Sequence, residues 1–318
     1  MELWHIYHED IPDFLAEAAA TPPMARLRGV GMNCGCEYTA FSLFSGWQSY
    51  SRFDHSMGAA LITWHFTEDK TQAMAALLHD IATPVFSHVV DFLRGDHEKQ
   101  ESTELGTAER ILGSQELVAV CRRYGIEAEE TTDYHRYPIA DNDSPRLSAD
   151  RLEYTLGNIV NFGFGTEETV RRYYEDLTAI GEELVFATAE IAADFAADAL
   201  RCGRIYVSDP DRFAMQSLAD LLKEAVAAGI LTEQDFYTQE APVIDKLTHS
   251  PLVPKWQSFC RLHRLERSDS GLVIPAKKRY IDPAVTDGRR ASAFSPVFAH
   301  ALEEFLVYSF DYGLCAVK

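Results

Sequence analysis

The 318-residue chain is short of basic residues: 29 Lys and Arg stand against 49 Asp and Glu, a formal net charge of −20. A grip on a polymeric nucleic-acid backbone needs a basic stripe that neutralises successive phosphates, so polymeric DNA and RNA are not expected partners. A small anion held in a locally positive pocket is compatible with that charge. The sequence also lacks any apolar run near the ~20 residues that cross a bilayer, so no membrane partner is expected. Its first ten residues carry Glu2, Glu9 and Asp10 and no basic stretch ahead of an apolar core, unlike a secretory signal, which makes a cytoplasmic location the expectation. Cysteine is sparse as well. The six (Cys34, Cys36, Cys121, Cys202, Cys260, Cys315) include no CxxC pair, which fits reduced thiols rather than a disulfide framework. Cys34-Gly35-Cys36 is too tightly spaced for the usual zinc knuckle.

What is present is mostly of helical period. Hydrophobic residues make up 47% and charged residues 25% of the chain, ordinary for a globular protein with a sizeable core. Apolar, alanine-rich spacing predicts core helices over 55–64 and 73–81, the second stopped by Thr83-Pro84. Further helices are expected at 87–93, 103–112, 116–124, 148–160, 166–202, 210–228, 233–247 and 296–308, with Asp209-Pro210 reading as cap and first turn of the helix 211–228. The polar, turn-rich stretch 123–144 reads as a loop over a site entrance, and 271–282 is the one strand-like segment, expected in a small hairpin. The fold class is therefore all-α. A division into a core of residues 1–204 and a C-terminal helical extension of 205–318 is expected, the two being readable also as one continuous domain.

Two short segments and a third far downstream carry the chemistry. Ser51-Arg52-Phe53-Asp54-His55-Ser56, Leu77-Leu78-His79-Asp80 and Ala149-Asp150-Arg151-Leu152 together offer two imidazoles and two carboxylates. His55, His79, Asp80 and Asp150 suit one borderline or hard divalent ion (Mn, Fe, Ni, Zn or Mg), and with no thiolate among them the set reads as catalytic rather than structural. A buried His-Asp pair following Ala-Ala-Leu-Leu needs a compensating charge. Arg52 lies three residues before His55 and shares its helix face. Ligands drawn from three helices leave coordination positions open for water and a phosphate oxygen. The run Lys277-Lys278-Arg279 is the one basic cluster, and it reads first as a solvated strand edge, with an anion or subunit contact as the second use.

The order His, His-Asp, Asp within helices resembles the HD superfamily of metal-dependent phosphohydrolases. Arg52-Phe53-Asp54-His55-Ser56-Met57-Gly58, Leu77-Leu78-His79-Asp80-Ile81, Phe86-Ser87-His88, Met24-Ala25-Arg26-Leu27-Arg28 and Ala149-Asp150-Arg151-Leu152-Glu153-Tyr154 look most like its deoxynucleoside triphosphate triphosphohydrolase branch, over roughly 24–160. The resemblance implies an HD-type helical bundle with the four ligands above. It further implies that Arg52 and Arg151 contact phosphate, that Tyr154 lies near the nucleotide, and that His97, in Asp96-His97-Glu98, acts as acid or base; His88 is a further catalytic candidate. Self-association is a reasonable expectation for such a family. The chain departs from the branch where Thr83 stands for a pocket histidine, Ala82 and Pro84 for flexible glycines, Ala25 for a sugar-reading glutamine, and Asn158 for an acid. A methyl cannot read a hydroxyl.

The function expected is hydrolysis of a small phosphorylated metabolite, with a nucleotide the leading candidate, by metal-assisted attack of water on phosphorus. The second reading is a catalytically weak HD protein that binds nucleotide or metal and regulates a partner.

Overall fold

Ser51 opens the central helix of the protein. In the computed structural model, which describes residues 3–90 and 106–317, Ser51 Oγ accepts from Asp54 N at 3.2 Å while Asp54 Oδ2 accepts from Ser51 N at 3.0 Å. This reciprocal cap starts α1 (Arg52–Thr67) three residues earlier than the apolar spacing marks. From residue 52 to 63 only Asp54 escapes full burial, so α1 is enclosed on all sides until its last turn. Asp69 caps α2 (Lys70–Leu78) through Thr71 N at 2.8 Å, and Ser148 caps α3 (Ala149–Asn161). Both pack on α1. That packing brings the end of α2 and the start of α3 against the start of α1, where the candidate ligands sit.

The main apolar cluster runs from Leu3 to Val285. A smaller one, with Ala196, Leu200, Phe298, Leu302 and Phe305, joins α4 (Ala189–Tyr206) to α6 (Pro296–Val307). Residues 204 and 205 lie inside α4. Among the described residues, strands form only two antiparallel pairs, so the all-α class holds. β1 (Leu177–Ile180) pairs with β2 (Glu183–Phe186), and β3 (Leu265–Val273) pairs with β4 (Gly313–Ala316) with a register break between Arg267 and Leu272.

Several boundaries differ from expectation, each for a local reason. The helix expected over 166–202 is interrupted by the β1–β2 hairpin, because Leu177-Thr178-Ala179-Ile180 and Leu184-Val185-Phe186 flank Gly181, whose φ of +61° no helix interior accepts. A small hairpin thus exists, but here and not at 271–282; strand β3 starts earlier than that segment and finds its partner at the C-terminal end. The 233–247 helix breaks into a 3₁₀ turn (Glu233–Tyr237) and a helix (Glu240–Thr248), with Thr238 and Gln239 non-helical between them. Phe86 and Ser87 have positive φ, so the 87–93 helix starts no earlier than residue 89, and its residues 91–93 lie outside the described residues. The cap of α5 (Asp209–Ala227) is Ser208, whose Oγ accepts from Asp211 N; it lies one residue before the position expected. The 123–144 stretch is a loop with two 3₁₀ turns, as expected.

Candidate active site

The His-Asp pair terminates α2, where the chain leaves the helix and its end groups seek partners. His79 Nδ1 donates to Ala76 O at 2.7 Å, which leaves the Nε2 lone pair of the neutral ring directed away from the backbone. His55, one turn into α1, is 1% exposed. Its Nε2 lies 2.9 Å from Asp150 Oδ1 and 4.0 Å from Asp80 Oδ2; His79 Nε2 lies 3.5 Å from each of those oxygens. Ligands about 2.1 Å from one ion stand about 3.0 Å apart at right angles and about 3.4 Å apart in a tetrahedron. The observed separations bracket both. The donor set thus fits one divalent cation, and His55, His79 and Asp80 form the one group of this kind among the described residues.

Electrostatics point the same way. Burial alone would lower the His55 pKa, but its hydrogen bonds to Asp150 and Glu153 raise it to about 10. A proton on His55 thereby supplies positive charge between these carboxylates, a place a cation can take. Burial would raise the Asp80 carboxyl, yet Arg52, His79 and His55 hold it well below the usual range. Asp150 is lowered too, against its own burial, chiefly by its hydrogen bond with His55.

A ring of supporting contacts surrounds the four, and much of it escaped the sequence reading. Glu153, 3% exposed, accepts from His55 Nδ1 at 2.7 Å and from the Tyr50 hydroxyl. It sits three residues after Asp150 on the same face of α3, the one signal that marks it in sequence. Gly58 makes room for it, since a Cβ there would stand 2.6 Å from the Glu153 side chain. Thr83 Oγ1 donates to Asp80 Oδ1 at 2.6 Å, and Arg52 Nη1 donates to Asp80 Oδ2 at 3.0 Å while its Nε donates to Ser87 Oγ at 3.0 Å. Arg26 Nη2 donates to Ile81 O and Thr83 O at 3.0 and 2.8 Å and clamps the turn after Asp80.

These groups open into a cavity of about 580 Å³, a size suited to a compact organic ligand. His88, Arg151 and Tyr154 line it with the four candidate ligands and Arg52. Arg151 is engaged with the loop above: Nη1 lies 3.1 Å from Asp141 Oδ1, Nε donates to Arg146 O at 2.9 Å, and Nη2 donates to Asn142. Tyr154 is pushed up to about 12, chiefly by burial, and stays a hydroxyl donor at neutral pH. Aromatic rings cover another stretch of wall, with Trp47 and Phe162 stacked at 4.5 Å and Tyr154 beside Tyr206 at 6.3 Å. Tyr134 and His135 from the 123–144 loop join the lining. His97 lies outside the described residues. The Lys277-Lys278-Arg279 run corrects its first reading: it is not a strand edge, since β3 ends at Val273, and all three residues line the cavity.

Comparison with known proteins agrees with this chemistry. No protein-family model matches the chain. It is 26% identical over 296 residues to the metal-dependent phosphohydrolase cns2 of Cordyceps militaris, covering 88% of this chain and 83% of that protein. It is 23% identical over 242 residues to the uncharacterized protein YdhJ of Bacillus subtilis, covering 76% and 72%. Its fold is similar to a phosphohydrolase of Bacteroides thetaiotaomicron (TM-score 0.64, 16% identity, 97% of both chains). It is also similar to a hypothetical protein of Aquifex aeolicus (TM-score 0.60, 17% identity, 91% of this chain and 89% of that one). The first relative is by name a metal-dependent phosphohydrolase, which supports that general class; the structural neighbours, at their identities, show the fold alone. No helix among the described residues is long and apolar enough to cross a membrane.

Proposed function

We propose that this chain hydrolyses a phosphate ester of nucleotide size, using one divalent ion held by His55, His79, Asp80 and Asp150. The observation that carries the proposal is the convergence of two Nε2 atoms and two carboxylate oxygens, 2.9 to 4.0 Å apart in the measured pairs, in the wall of the cavity. A bound ion would polarise the phosphoryl group and acidify a water. Mn, Fe, Ni, Zn and Mg all accept this donor set.

The chain's own residues supply the rest. Arg52, fixed by Asp80 and Ser87, stands beside the ligand cluster and offsets negative charge that builds on the phosphoryl oxygens. Arg151 adds positive charge to the wall while holding the entrance loop. Tyr154 offers a hydroxyl to the substrate. His88 in the lining is a candidate to move a proton, and His97 is a second on the strength of the family resemblance. The aromatic wall favours a substrate with a planar ring, which supports a nucleotide, and the motif resemblance supports the nucleoside triphosphate branch.

The test is phosphate and polyphosphate release from nucleoside mono- and triphosphates and an aryl phosphate, with Mn, Ni, Co or Mg, by the wild type and by Asp80→Ala. The expected outcome is metal-dependent turnover that falls on the order of a thousandfold or more in the variant, the several kcal/mol of charge stabilisation a metal supplies. Tight nucleotide binding without turnover under any metal would support the regulatory reading instead.

A further inference from the structure

We infer that Glu240 is a positioning residue for Arg52: from behind the cavity wall its carboxylate fixes the backbone at Gly31 and Phe86, in the two segments on which the Arg52 guanidinium depends. The inference rests on the phosphohydrolase reading for what Arg52 does to a phosphoryl group. It adds to that site a residue outside the stretch 24–160 that carries the family resemblance.

Arg52 is held by backbone and side chain alike. Its backbone N–H donates to Val30 O at 2.8 Å, Nε to Ser87 Oγ at 3.0 Å and Nη1 to Asp80 Oδ2 at 3.0 Å. The bonds of the guanidinium thus use Nε and Nη1, and Nη2 is the amino group it has to offer a phosphoryl oxygen. Ser87 is in turn bound to the first segment, its Oγ donating to Gly31 O at 3.3 Å. Gly31 bridges to Ser51, the residue that caps α1 immediately before Arg52. The aim of the guanidinium therefore depends on where Gly31 and Ser87 lie. Neither segment is held by regular structure: Gly31 makes an isolated bridge, and Phe86 and Ser87 have φ of +59° and +49°, conformations that need outside support.

Glu240 supplies that support. It opens the helix Glu240–Thr248 and is 5% exposed. Its Oε1 accepts from Gly31 N at 2.8 Å and its Oε2 from the Tyr38 hydroxyl at 2.7 Å. Burial raises the Glu240 carboxyl, and Tyr38, the Gly31 and Phe86 N–H groups and then the charge of Arg52 work against that rise. A buried carboxylate is costly unless donors surround it, and two of these donors are the backbone groups on which Ser87 and Arg52 depend. Gly31 leaves the space required, since a Cβ there would stand 3.3 Å from Glu240 Oε1. The residues just before Glu240 brace the same region: Phe236 O accepts from Val85 N at 2.8 Å and Thr238 O from Arg26 Nη1 at 3.2 Å. In a continuous helix those carbonyls would accept from residues 240 and 242. Residue 242 is a proline, which has no N–H and crowds the carbonyl four residues back, so the helix breaks at Thr238 and Gln239 and both carbonyls turn to the site.

The experiment compares wild type, Glu240→Asp and Glu240→Gln, with Glu240→Asp placed also in a Ser87→Ala background. Asp keeps the charge and draws the carboxylate back by one methylene; Gln keeps the reach and an acceptor for Gly31 N. The readouts are kcat and KM for an aryl phosphate with Mn, the affinity for Mn, and the calorimetric affinity of the metal-free and Mn-loaded full-length proteins for inorganic phosphate. A positioning role predicts that Glu240→Asp lowers kcat about ten- to hundredfold, more than it raises KM, with Mn affinity within about threefold of wild type. Phosphate affinity falls about tenfold, the loss of a hydrogen bond to a charged group, and Glu240→Gln recovers most of both losses. Where Ser87→Ala has already cut the link, Glu240→Asp costs about threefold or less. Equal losses in the two backgrounds, a larger loss in Gln than in Asp, or Mn affinity falling in step with kcat would overturn the inference, the last because it marks a merely structural role. If Glu240→Asp does not fold, Tyr38→Phe, which removes one donor from the same carboxylate, decides: a loss of about threefold or more in kcat that vanishes with Ser87→Ala supports the inference, and its absence overturns it. The two readings fail separately. Without turnover by the wild type, phosphate affinity that falls in Glu240→Asp and no further with Ser87→Ala defeats hydrolysis and keeps the positioning of Arg52, and no phosphate binding by the wild type defeats both. Metal-dependent turnover indifferent to Glu240→Asp keeps hydrolysis and defeats the inference.

Discussion

Replacing Glu153 by Gln isolates the contribution of the groups behind the ligands. Glu153 touches no open space: it is 3% exposed and spends its carboxylate on His55 Nδ1, at 2.7 Å, and on the Tyr50 hydroxyl. Gln has the same length and its Oε1 still accepts from Nδ1, so the ring keeps its orientation and loses only the negative charge behind it. A hydrogen bond to a charged group is worth about 1.5–3 kcal/mol and one to a neutral group about 1 kcal/mol, so His55 becomes a weaker donor by roughly 1–2 kcal/mol. That corresponds to a loss of about tenfold in metal affinity, near the low end of the range for partners that orient a metal-bound histidine. Tyr50→Phe, which leaves the carboxylate in place and removes one of its donors, should cost less. Titration of Mn into the metal-free proteins, with the far-UV spectrum as a check on folding, measures both. A Glu153→Gln protein that folds and binds Mn within twofold of the wild type would refute the reasoning, since the charge behind His55 would then contribute nothing to the site.

Two further substitutions probe the same region. Ala for Gly inside a helix ordinarily stabilises by roughly 0.5–1 kcal/mol, but in Gly58→Ala the new Cβ meets the Glu153 side chain at 2.6 Å. The melting temperature is therefore expected to fall and metal affinity with it; a higher melting temperature with unchanged affinity would contradict the seating described here. Glu37 faces Glu240 near Gly31, and burial, then the charge of Glu240, raises Glu37 from 4.5 to about 7. A carboxyl whose folded-state pKa is raised stabilises the fold only while protonated, so stability falls as pH climbs from about 4.5 towards about 7 and is level above, with about 3 kcal/mol as the upper bound. Glu37→Gln should flatten that slope and stabilise the protein at pH 8 relative to wild type, read from urea midpoints at pH 5 and pH 8; parallel slopes would sink the assignment.

The sequence announced those parts of the molecule that repeat a pattern. The helices carrying His55, His79 and Asp150 are legible because their apolar periods and caps are local, and the structure draws these residues together with Asp80. Where the reading slipped, the deciding interaction was conformational or distant. The 166–202 segment has helix formers at both ends, and only the φ of Gly181 and the pairing of two four-residue strands break it. The partner of β3 lies about forty residues downstream, beyond any window of local pattern. Glu153 and Tyr50 are 103 residues apart and meet only when α3 packs on α1. The basic run at 277–279 looked like a solvated edge because nothing near it in sequence places it in the wall of the cavity.

Thr83 shows why a departure from a family pattern is a weak guide until its contacts are known. Read as the loss of a pocket histidine, it argues against chemistry at the site. In the fold its hydroxyl takes Asp80 Oδ1 at 2.6 Å while Arg52 takes Oδ2 at 3.0 Å, so both carboxylate oxygens have a donor and the plane of the group is fixed. Arg26, next to the Ala25 that departs from the sugar-reading glutamine, clamps the backbone on either side of the turn through Ile81 O and Thr83 O. Phe86 and Ser87 hold left-handed backbone conformations that cost energy in residues other than glycine, and Ser87 spends its hydroxyl oxygen on Arg52. Thr83, which departs from the branch pattern, therefore fixes the aspartate, while Arg26 and Ser87, which match it, hold the turn and the arginine. The departures bear on what the cavity admits rather than on how the aspartate is held.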